Sequence, residues 1–379
     1  MALIGDMQAK FGPALSAARA PGRVNLIGDH VDYCGGRVMP FAIDRDGVAT
    51  IHPGATDDNA IVLSSLASGG EHRIAFGDAF EPGVGAPVGS WQSYVLGVIA
   101  GLGERGSIEA MRGCRVAVAT SVPLGAGLSS SAALEVSVAL AAARHCGISI
   151  EGLELAKLCQ AAEHRFAGVP CGLMDQAIST LGREGHLVVL DCATEATREV
   201  PIPDACEIVV INSGVSHALA DGEYGKRRAV CERAASLLGV EHLAHAAADA
   251  LGELPGDVLP FARHVVSETA RVDELGDRLA AGDLAQCGRI MLESHASLRD
   301  DFRVSCEEID AIVERLRSVD GVFGARMTGG GFGGCVVALL EPGTGASIPA
   351  ALEACRPMCP DLEVIAVKAA DGARLIALG

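Results

Sequence analysis

Glycine is the residue that most constrains this chain, because it gathers in three short stretches instead of spreading evenly. It accounts for 47 of the 379 residues, against a usual share of ~7%, and a GC-rich genome explains most of the excess. The three stretches are 20–36, 122–134 and 324–335. Five glycines in six positions of the third stretch would be costly inside a helix or strand. A flexible linker is the alternative there, but strand-like apolar segments on both sides favour a tight loop.

Composition and charge limit the class of protein. With 49% hydrophobic residues the chain can bury a large core, and its length fits two or three domains. The net charge of −18 argues against nucleic acid and anionic membranes as partners, but leaves a local phosphate pocket open. Thirteen cysteines without a CxxC pair indicate a reducing compartment. Without a signal sequence or an apolar run of ~18 residues, a soluble, cytoplasmic protein with no membrane span is expected.

Apolar periodicity predicts an α+β fold in two halves. The longest helix of the first half is expected at 128–145, with Gly147 just beyond its end. Other helices are expected at 94–104, 153–166, 224–238, 262–281, 284–297, 305–317 and 348–355. Strands are expected at 23–27, 37–43, 48–51, 114–120, 187–190, 207–211, 321–327, 335–340 and 363–367. The polar segment 194–203 contains two prolines and is the preferred boundary, giving an N-terminal domain at 1–198 and a C-terminal domain at 199–379.

The second glycine stretch has the composition of a phosphate-binding loop. A strand-like segment runs into Gly125 and Gly127, three serines follow, and a strong helix begins. Glycines let the backbone close around a polyphosphate, and the free N–H groups and dipole of a helix start favour an anion. This is not a Walker motif, because Gly-Lys-Ser/Thr is missing here. The alternative is an ordinary glycine turn whose serine caps the helix.

The first glycine stretch is dense in polar side chains. A cation, two carboxylates, an imidazole and a phenol lie within eleven residues, on Arg23, Asp29, His30, Asp32 and Tyr33. Such a loop suits a small hydroxylated ligand, because a sugar needs several hydrogen-bond acceptors and unpaired buried groups are penalised. The alternative is a solvated turn, which the apolar residues just before it disfavour.

Two isolated acids complete the candidate site. Glu163 lies at the edge of an apolar helical stripe, where it could help to hold a Mg²⁺ bound mainly by phosphates or could simply face solvent. Asp175 follows Pro170 and Gly172 among apolar neighbours, so it either caps a helix or needs a counter-charge. Arg23 is the candidate partner, although the sequence alone does not pair the two.

Taken together, these segments resemble one known family, the galactokinases, which belong to the GHMP small-molecule kinases. The likeness is carried, in order and at the expected separations, by GRVNLIGDHVDYCGG, PLGAGLSSSAALE, AEHRFAGVPCGLMDQ and GARMTGGGFGGC. The segments at 216–232 and 294–310 look specific to galactokinases, and the resemblance runs from about Arg19 to Leu340. It implies an N-terminal mixed α/β domain and a ferredoxin-like C-terminal domain with the active site between them.

The resemblance also implies roles for individual residues. Asp175 would be the catalytic base, and Arg23 would stabilise the transferring phosphoryl group. ATP would be held by the phosphate loop, comprising Gly125, Ala126, Gly127, Leu128, Ser129, Ser130 and Ser131. Mg²⁺ would be bound by Ser131 and Glu163, and the sugar by Asp29, His30, Asp32, Gly172, Asp175 and Tyr224. The implied reaction converts D-galactose and ATP into α-D-galactose 1-phosphate and ADP, and a monomer is expected.

The sugar-binding segment departs from the family pattern at two positions. The usual Glu is replaced by Asp29, one methylene shorter, and Cys34 replaces an amide side chain. The shorter carboxylate leaves the substituent at that end of the sugar open, so a kinase for N-acetylgalactosamine or a deoxy-galactose is an alternative. A galactose and ATP sensor without activity is the alternative from another class. The intact serine-rich loop, Arg23 and Asp175 disfavour it.

Overall fold

Helices and strands are mixed along both halves of the chain, as the α+β prediction requires. The computed structural model describes residues 2–54, 59–67, 69–216 and 220–378. In these ranges the strands are β1 (Ser16–Asn25), β2 (Arg37–Val38), β3 (Pro40–His52), β4 (Ala60–Ser65), β5 (Glu71–Ala75), β6 (Arg115–Thr120), β7 (His186–Asp191), β8 (Thr197–Pro201), β9 (Glu207–Ser216), β10 (Val322–Thr328), β11 (Gly333–Leu340), β12 (Glu363–Ala366) and β13 (Arg374–Leu375). The α-helices there are α1 (Ala2–Phe11), α2 (Trp91–Gly103), α3 (Ser130–Cys146), α4 (Gly152–Ala162), α5 (Met174–Leu181), α6 (Ala220–Leu238), α7 (Leu259–Ala280), α8 (Leu284–Ser297), α9 (Glu307–Arg317) and α10 (Ile348–Ala351).

The N-terminal half is built on a six-stranded sheet in the order β13-β1-β3-β6-β4-β5. Neighbouring strands run antiparallel, except β4 and β6, which are parallel. Helix α3 packs across β1 and β3, and α2 packs against α3 and α4. Strand β1 is buried along nearly all of its length. A charged side chain on this strand, such as Arg23, therefore needs a partner inside the fold.

The C-terminal half is built on a four-stranded antiparallel sheet in the order β10-β11-β9-β12. Helices α8 and α9 pack on this sheet through β10, and α7 packs on α8. Their amphipathic sequences fit this position, because each buries one apolar face. The arrangement confirms the predicted ferredoxin-like fold of this half.

The polar segment 194–203 has a regular structure that its composition does not predict. Its residues 197–201 form β8, which pairs with β7 in a third sheet ordered β2-β7-β8. Most side chains of β8 are exposed, as fits an edge strand with one face in solvent. At the end of the chain, β13 returns to pair with β1 of the first sheet. The division at 198/199 therefore remains a prediction.

Most predicted helices form, with small changes in length. Helix α3 begins two residues later than predicted and ends at Gly147, whose φ of 70° is the left-handed conformation expected there. The predicted helix at 348–355 is shorter, because α10 is followed by a separate 3₁₀ turn at Glu353–Cys355. Residues 217–219 of the segment 216–232 lie outside the described residues. In the described ranges, no helix is long and apolar enough to cross a membrane.

Candidate active site

One cavity of about 290 Å³ brings the three glycine stretches together. The phosphate loop (125–131) forms one wall, the sugar loop (28–33) another, and the C-terminal glycine loop (329–334) closes against both. The cavity is lined by nearly all the predicted site residues, namely Arg23, Asp29, His30, Asp32, Gly125, Gly127, Leu128, Ser129, Ser130, Ser131, Glu163, Gly172, Asp175 and Tyr224. Ala126 is buried behind the phosphate loop, where its carbonyl accepts a hydrogen bond from the Cys335 thiol.

The phosphate loop adopts conformations that explain its glycines. Gly125 and Gly127 have backbone φ values of 72° and 73°, which residues other than glycine rarely adopt. Ser129 is also left-handed, with φ 56°, and helix α3 begins directly after it. The Ser129 hydroxyl does not cap the helix but donates to Asp175 Oδ2 at 2.6 Å. The serine cap of the alternative is therefore absent at Ser129, and the start of α3 lies on the cavity wall, where Ser129, Ser130 and Ser131 line it.

Arg23 and Asp175 form a two-pronged ion pair on the cavity wall. Arg23 Nε and Nη2 donate to the two carboxylate oxygens of Asp175, each at 2.8 Å. Arg23 Nη1 donates to the carbonyl oxygen of Gly127 at 2.6 Å, so the same guanidinium fixes the phosphate loop. Arg23 is only 5% exposed, and this pairing supplies the partner that a buried cation needs. The pair that sequence reasoning suggests across 152 residues is thus present.

His30 is held as a neutral side chain in a strained backbone conformation. Its φ is 63°, uncommon for a residue other than glycine. Burial, with His264 nearby, lowers its pKa to about 3. Nε2 lies 3.2 Å from the Gly330 carbonyl and therefore carries the proton, while Nδ1 accepts from the Tyr33 hydroxyl at 2.9 Å. The ring packs beside Tyr224, with centroids 5.4 Å apart.

Asp32 and Gly172 form a second close contact in the cavity. A Cβ on Gly172 would lie 1.8 Å from Asp32 Oδ2, so only glycine fits at that position. Burial and the neighbouring charge of Asp175 raise the pKa of Asp32 to about 7. This carboxylate is therefore a hydrogen-bond acceptor whose ionisation depends on pH in the neutral range.

Asp29 is only 2% exposed, and its carboxylate is engaged by the protein. Oδ1 accepts from the Gly329 N–H at 3.1 Å, and Oδ2 lies 2.7 Å from Arg326 Nη1. Burial raises the pKa of Asp29, while Arg326 acts in the opposite direction. The residue touches the cavity, but its carboxylate binds mainly to the C-terminal half.

Glu163 is buried rather than solvated, at 5% exposure, in a π-helical turn at Glu163–Ala167. The amide nitrogen of Gln176 donates to Glu163 Oε2 at 2.6 Å and to Glu135 Oε2 at 3.0 Å. Burial, with the nearby charge of Asp175, raises the pKa of Glu163 to about 7. Sequence reasoning misses Glu135 and Gln176. The only signal at these positions is that Glu135 is an acid inside the apolar face of α3.

A second, apolar pocket of about 140 Å³ adjoins the phosphate loop. It shares Ser130 with the first cavity and is otherwise lined mostly by apolar groups, among them Trp91, Leu124, Val118 and Leu134. Leu124 is 68% exposed at its mouth. Beyond the single Trp of the chain, no sequence signal points to this pocket, because its walls come from α2, α3 and β6.

Models of known protein families match three parts of the chain. A model of the GHMP kinase N-terminal domain matches residues 93–183, and a model of the C-terminal domain matches 277–356. A galactokinase galactose-binding signature matches residues 8–53.

Among the similar proteins are galactokinases that match this chain over most of their own length. A galactokinase of Chloroflexus aggregans is 43% identical over 87% of this chain and 85% of its own. A galactokinase of Streptomyces coelicolor is 44% identical over 85% and 84%. The crystal structure of Lactococcus lactis galactokinase complexed with galactose superposes with a TM-score of 0.89, at 28% identity over 98% of both chains. The chain therefore belongs to the galactokinases, within the GHMP kinases.

Proposed function

We propose that the protein transfers the γ-phosphoryl group of ATP to the anomeric hydroxyl of D-galactose, giving α-D-galactose 1-phosphate and ADP. The observation that carries the proposal is the Arg23–Asp175 pair, because it stands where the phosphate loop and the sugar loop meet. The galactokinase relatives, which cover most of the chain, support galactose as the substrate.

The proposed mechanism uses Asp175 and Arg23 at the reacting atoms. Asp175 accepts the proton of the anomeric hydroxyl as its oxygen attacks phosphorus, and Ser129 and Arg23 keep the carboxylate oriented. Arg23 and the N–H groups at the start of α3 offset the charge of the transferring phosphoryl group. Asp32 accepts hydrogen bonds from the sugar hydroxyls. The ring of His30, whose two nitrogens already bond to Tyr33 and Gly330, forms the wall beside Tyr224. Phosphoryl transfer needs mainly such positioning and charge stabilisation.

The residues present fit a Mg²⁺ ion that is bound mainly by the nucleotide phosphates. In the described part of the chain, no three His, Cys, Asp or Glu side chains form a metal site of their own. Such a site is not required, because Mg²⁺ commonly takes one or two protein ligands plus phosphates. Ser131 and Glu163 supply hard oxygen atoms on the cavity wall, and Glu135 Oε1, buried behind Glu163, has no hydrogen-bond partner. When bound, the ion would neutralise phosphate charge.

The apolar pocket beside Trp91 is proposed to hold the adenine base. It adjoins the phosphate loop through Ser130, so a nucleotide with its phosphates at the loop has its base within reach of the pocket. An aromatic base and an indole ring pack well together. The size of about 140 Å³ also fits one planar base rather than a larger ligand.

The test is turnover by the purified protein with ATP, Mg²⁺ and a panel of hexoses, followed through ADP release. We expect turnover with D-galactose and a weaker response to N-acetylgalactosamine and 6-deoxygalactose. If kcat/KM is higher for either derivative than for galactose, that derivative and not galactose is the substrate. Galactose binding without turnover of any sugar would identify a sensor instead of a kinase.

A further inference from the structure

The backbone of the sugar loop is held from the C-terminal half at consecutive residues. The N–H of Gly28 donates to Glu268 Oε1 at 3.0 Å. The carbonyl of Asp29 lies 3.1 Å from His264 Nε2. Burial lowers the pKa of His264 to about 4, so this ring is neutral at physiological pH and donates from Nε2. Both partners lie on α7 of the C-terminal half.

The side chains of the same loop reach the C-terminal glycine loop. Asp29 Oδ1 accepts from the N–H of Gly329, and His30 Nε2 donates to the carbonyl of Gly330. Residues 28, 29 and 30 therefore each contact the other half of the molecule. The sugar loop belongs to the N-terminal half in sequence but takes its position from the C-terminal half.

Arg326 lies at the centre of these contacts, fully buried on β10. Its Nη1 is 2.7 Å from Asp29 Oδ2 and donates to the Leu26 carbonyl at 3.1 Å. Its Nη2 is 3.6 Å from Glu268 Oε1. One guanidinium thus joins the backbone before the sugar loop, the carboxylate within the loop and the carboxylate that holds Gly28.

Glu268 is the second centre and is also fully buried. It pairs with Arg271 and accepts from the Ser294 hydroxyl. Burial alone would raise the pKa of Glu268, but Arg326, His264 and Arg271 lower it to about 2, so it stays ionised. Together with Asp29, the cluster contains two carboxylates and two guanidinium groups, so its formal charge is zero.

A neutral cluster of this kind is a poor source of stability, because buried ion pairs are often replaceable by apolar residues without loss. The cluster instead bonds to the backbone atoms of Leu26 and Gly28, and His264 beside it donates to the Asp29 carbonyl. The next residue, His30, has a left-handed backbone, a conformation that persists only where its surroundings fix it firmly. The cluster therefore fixes the segment that presents His30 to the cavity.

We propose that Arg326 and Glu268 are positioning residues for sugar binding. Neither side chain lines the cavity, so they act through residues 28–30 and set the affinity for the sugar while leaving nucleotide binding unchanged. The inference rests on the proposed function for the identity of the sugar. It predicts that Asp29 serves chiefly as the ion-pair partner of Arg326 and the acceptor for the Gly329 N–H rather than as a free sugar ligand.

The experiment compares Glu268→Gln, Arg326→Lys and the double variant Asp29→Asn with Arg326→Met against the wild type. Glu274→Gln is the matched control, because it removes an exposed acid from the same helix α7. For each protein the measurements are kcat, KM for galactose and for ATP, and the rise in Tm on adding galactose alone. We expect KM for galactose to rise about tenfold or more, from the loss of one charged hydrogen bond, with KM for ATP within about twofold of the control.

The double variant keeps the proposal falsifiable, because it removes both charges of one pair and leaves Glu268 paired with Arg271. Folded variants whose KM for galactose stays at the wild-type value would overturn the proposal. Equal changes in both KM values, or a double variant that does not fold, would show a purely structural role. If the Tm of the wild type rises with galactose but no sugar is turned over, only the kinase function is refuted. The rise in Tm of each variant still measures whether Arg326 and Glu268 position the sugar loop for binding.

Discussion

The ionisation of Asp32 offers a direct test of the sugar site. This carboxylate touches the cavity, and burial together with the charges of Asp175 and Asp29 raises its pKa from 3.8 to about 7, against smaller opposing effects of the Tyr33 backbone N–H and of Arg23. Because the pKa is raised, Asp32 is ionised above pH 7 and becomes protonated as the pH falls through that value. Sugar hydroxyls donate to an ionised carboxylate, so galactose should bind best above pH 7 and more weakly below it.

The size of the effect can be calculated from this pKa. If only the ionised form binds galactose, the apparent Kd is multiplied by 1 + 10^(pKa − pH). With a pKa of about 7, this factor is about 1.1 at pH 8 and about 11 at pH 6, so Kd should rise about tenfold across those two units. His30 does not contribute, because its pKa of about 3 leaves it neutral throughout.

The assay is titration calorimetry with galactose at pH 5.5 to 8.5, without nucleotide or Mg²⁺, so that the raised pKa of Glu163 does not enter through metal binding. Asp32→Asn should bind galactose weakly and with little dependence on pH. The Tm of each protein at each pH separates loss of binding from loss of folding. A wild-type Kd that is constant between pH 6 and pH 8, or an Asp32→Asn variant that retains the full slope, would refute the reasoning.

Three substitutions test the other parts of the site. Asp175→Asn should lower kcat at least ~10²-fold in the ADP-release assay, since it removes the base; a loss of only a few-fold would contradict that role. Gly172→Ala should raise KM for galactose about tenfold, because its Cβ would clash with Asp32 Oδ2, and an unchanged KM would show that Asp32 is not a sugar ligand. Trp91→Ala should raise KM for ATP about tenfold without affecting galactose, and the reverse pattern would exclude the adenine pocket.

Local chain geometry can be predicted from the sequence where only one residue type readily adopts the backbone conformation that the position needs. The sequence predicts Gly125 and Gly127 in a tight loop, and both have positive φ. It predicts Gly147 at a helix end, and this residue forms the left-handed cap of α3. The need of a buried acid for a counter-charge suggests the pairing of Arg23 with Asp175. The sequence does not place the pair in space, since 152 residues separate them.

Glu163 shows why periodicity fails elsewhere in the site. The spacing of apolar residues around it is consistent with a solvated helix flank, because periodicity shows which residues share a face and not what packs on that face. Helix α5 packs against α4 and carries Gln176. The Glu163 side chain is therefore buried against Gln176 instead of facing solvent. The polar strand β8 is missed for a related reason, because composition reports exposure and not pairing.

A polyphosphate that binds in this cavity meets more negative than positive side chains. The cavity is lined by four acids, Asp29, Asp32, Glu163 and Asp175. Among the described residues on its wall, Arg23 is the one cation, since His30 is neutral. Arg23 is already paired with Asp175, so its single charge offsets only part of the charge of three phosphates. Backbone N–H groups at the start of α3 provide only part of the remainder. The Mg²⁺ ion proposed above would supply the remaining positive charge if it arrives bound to the nucleotide phosphates.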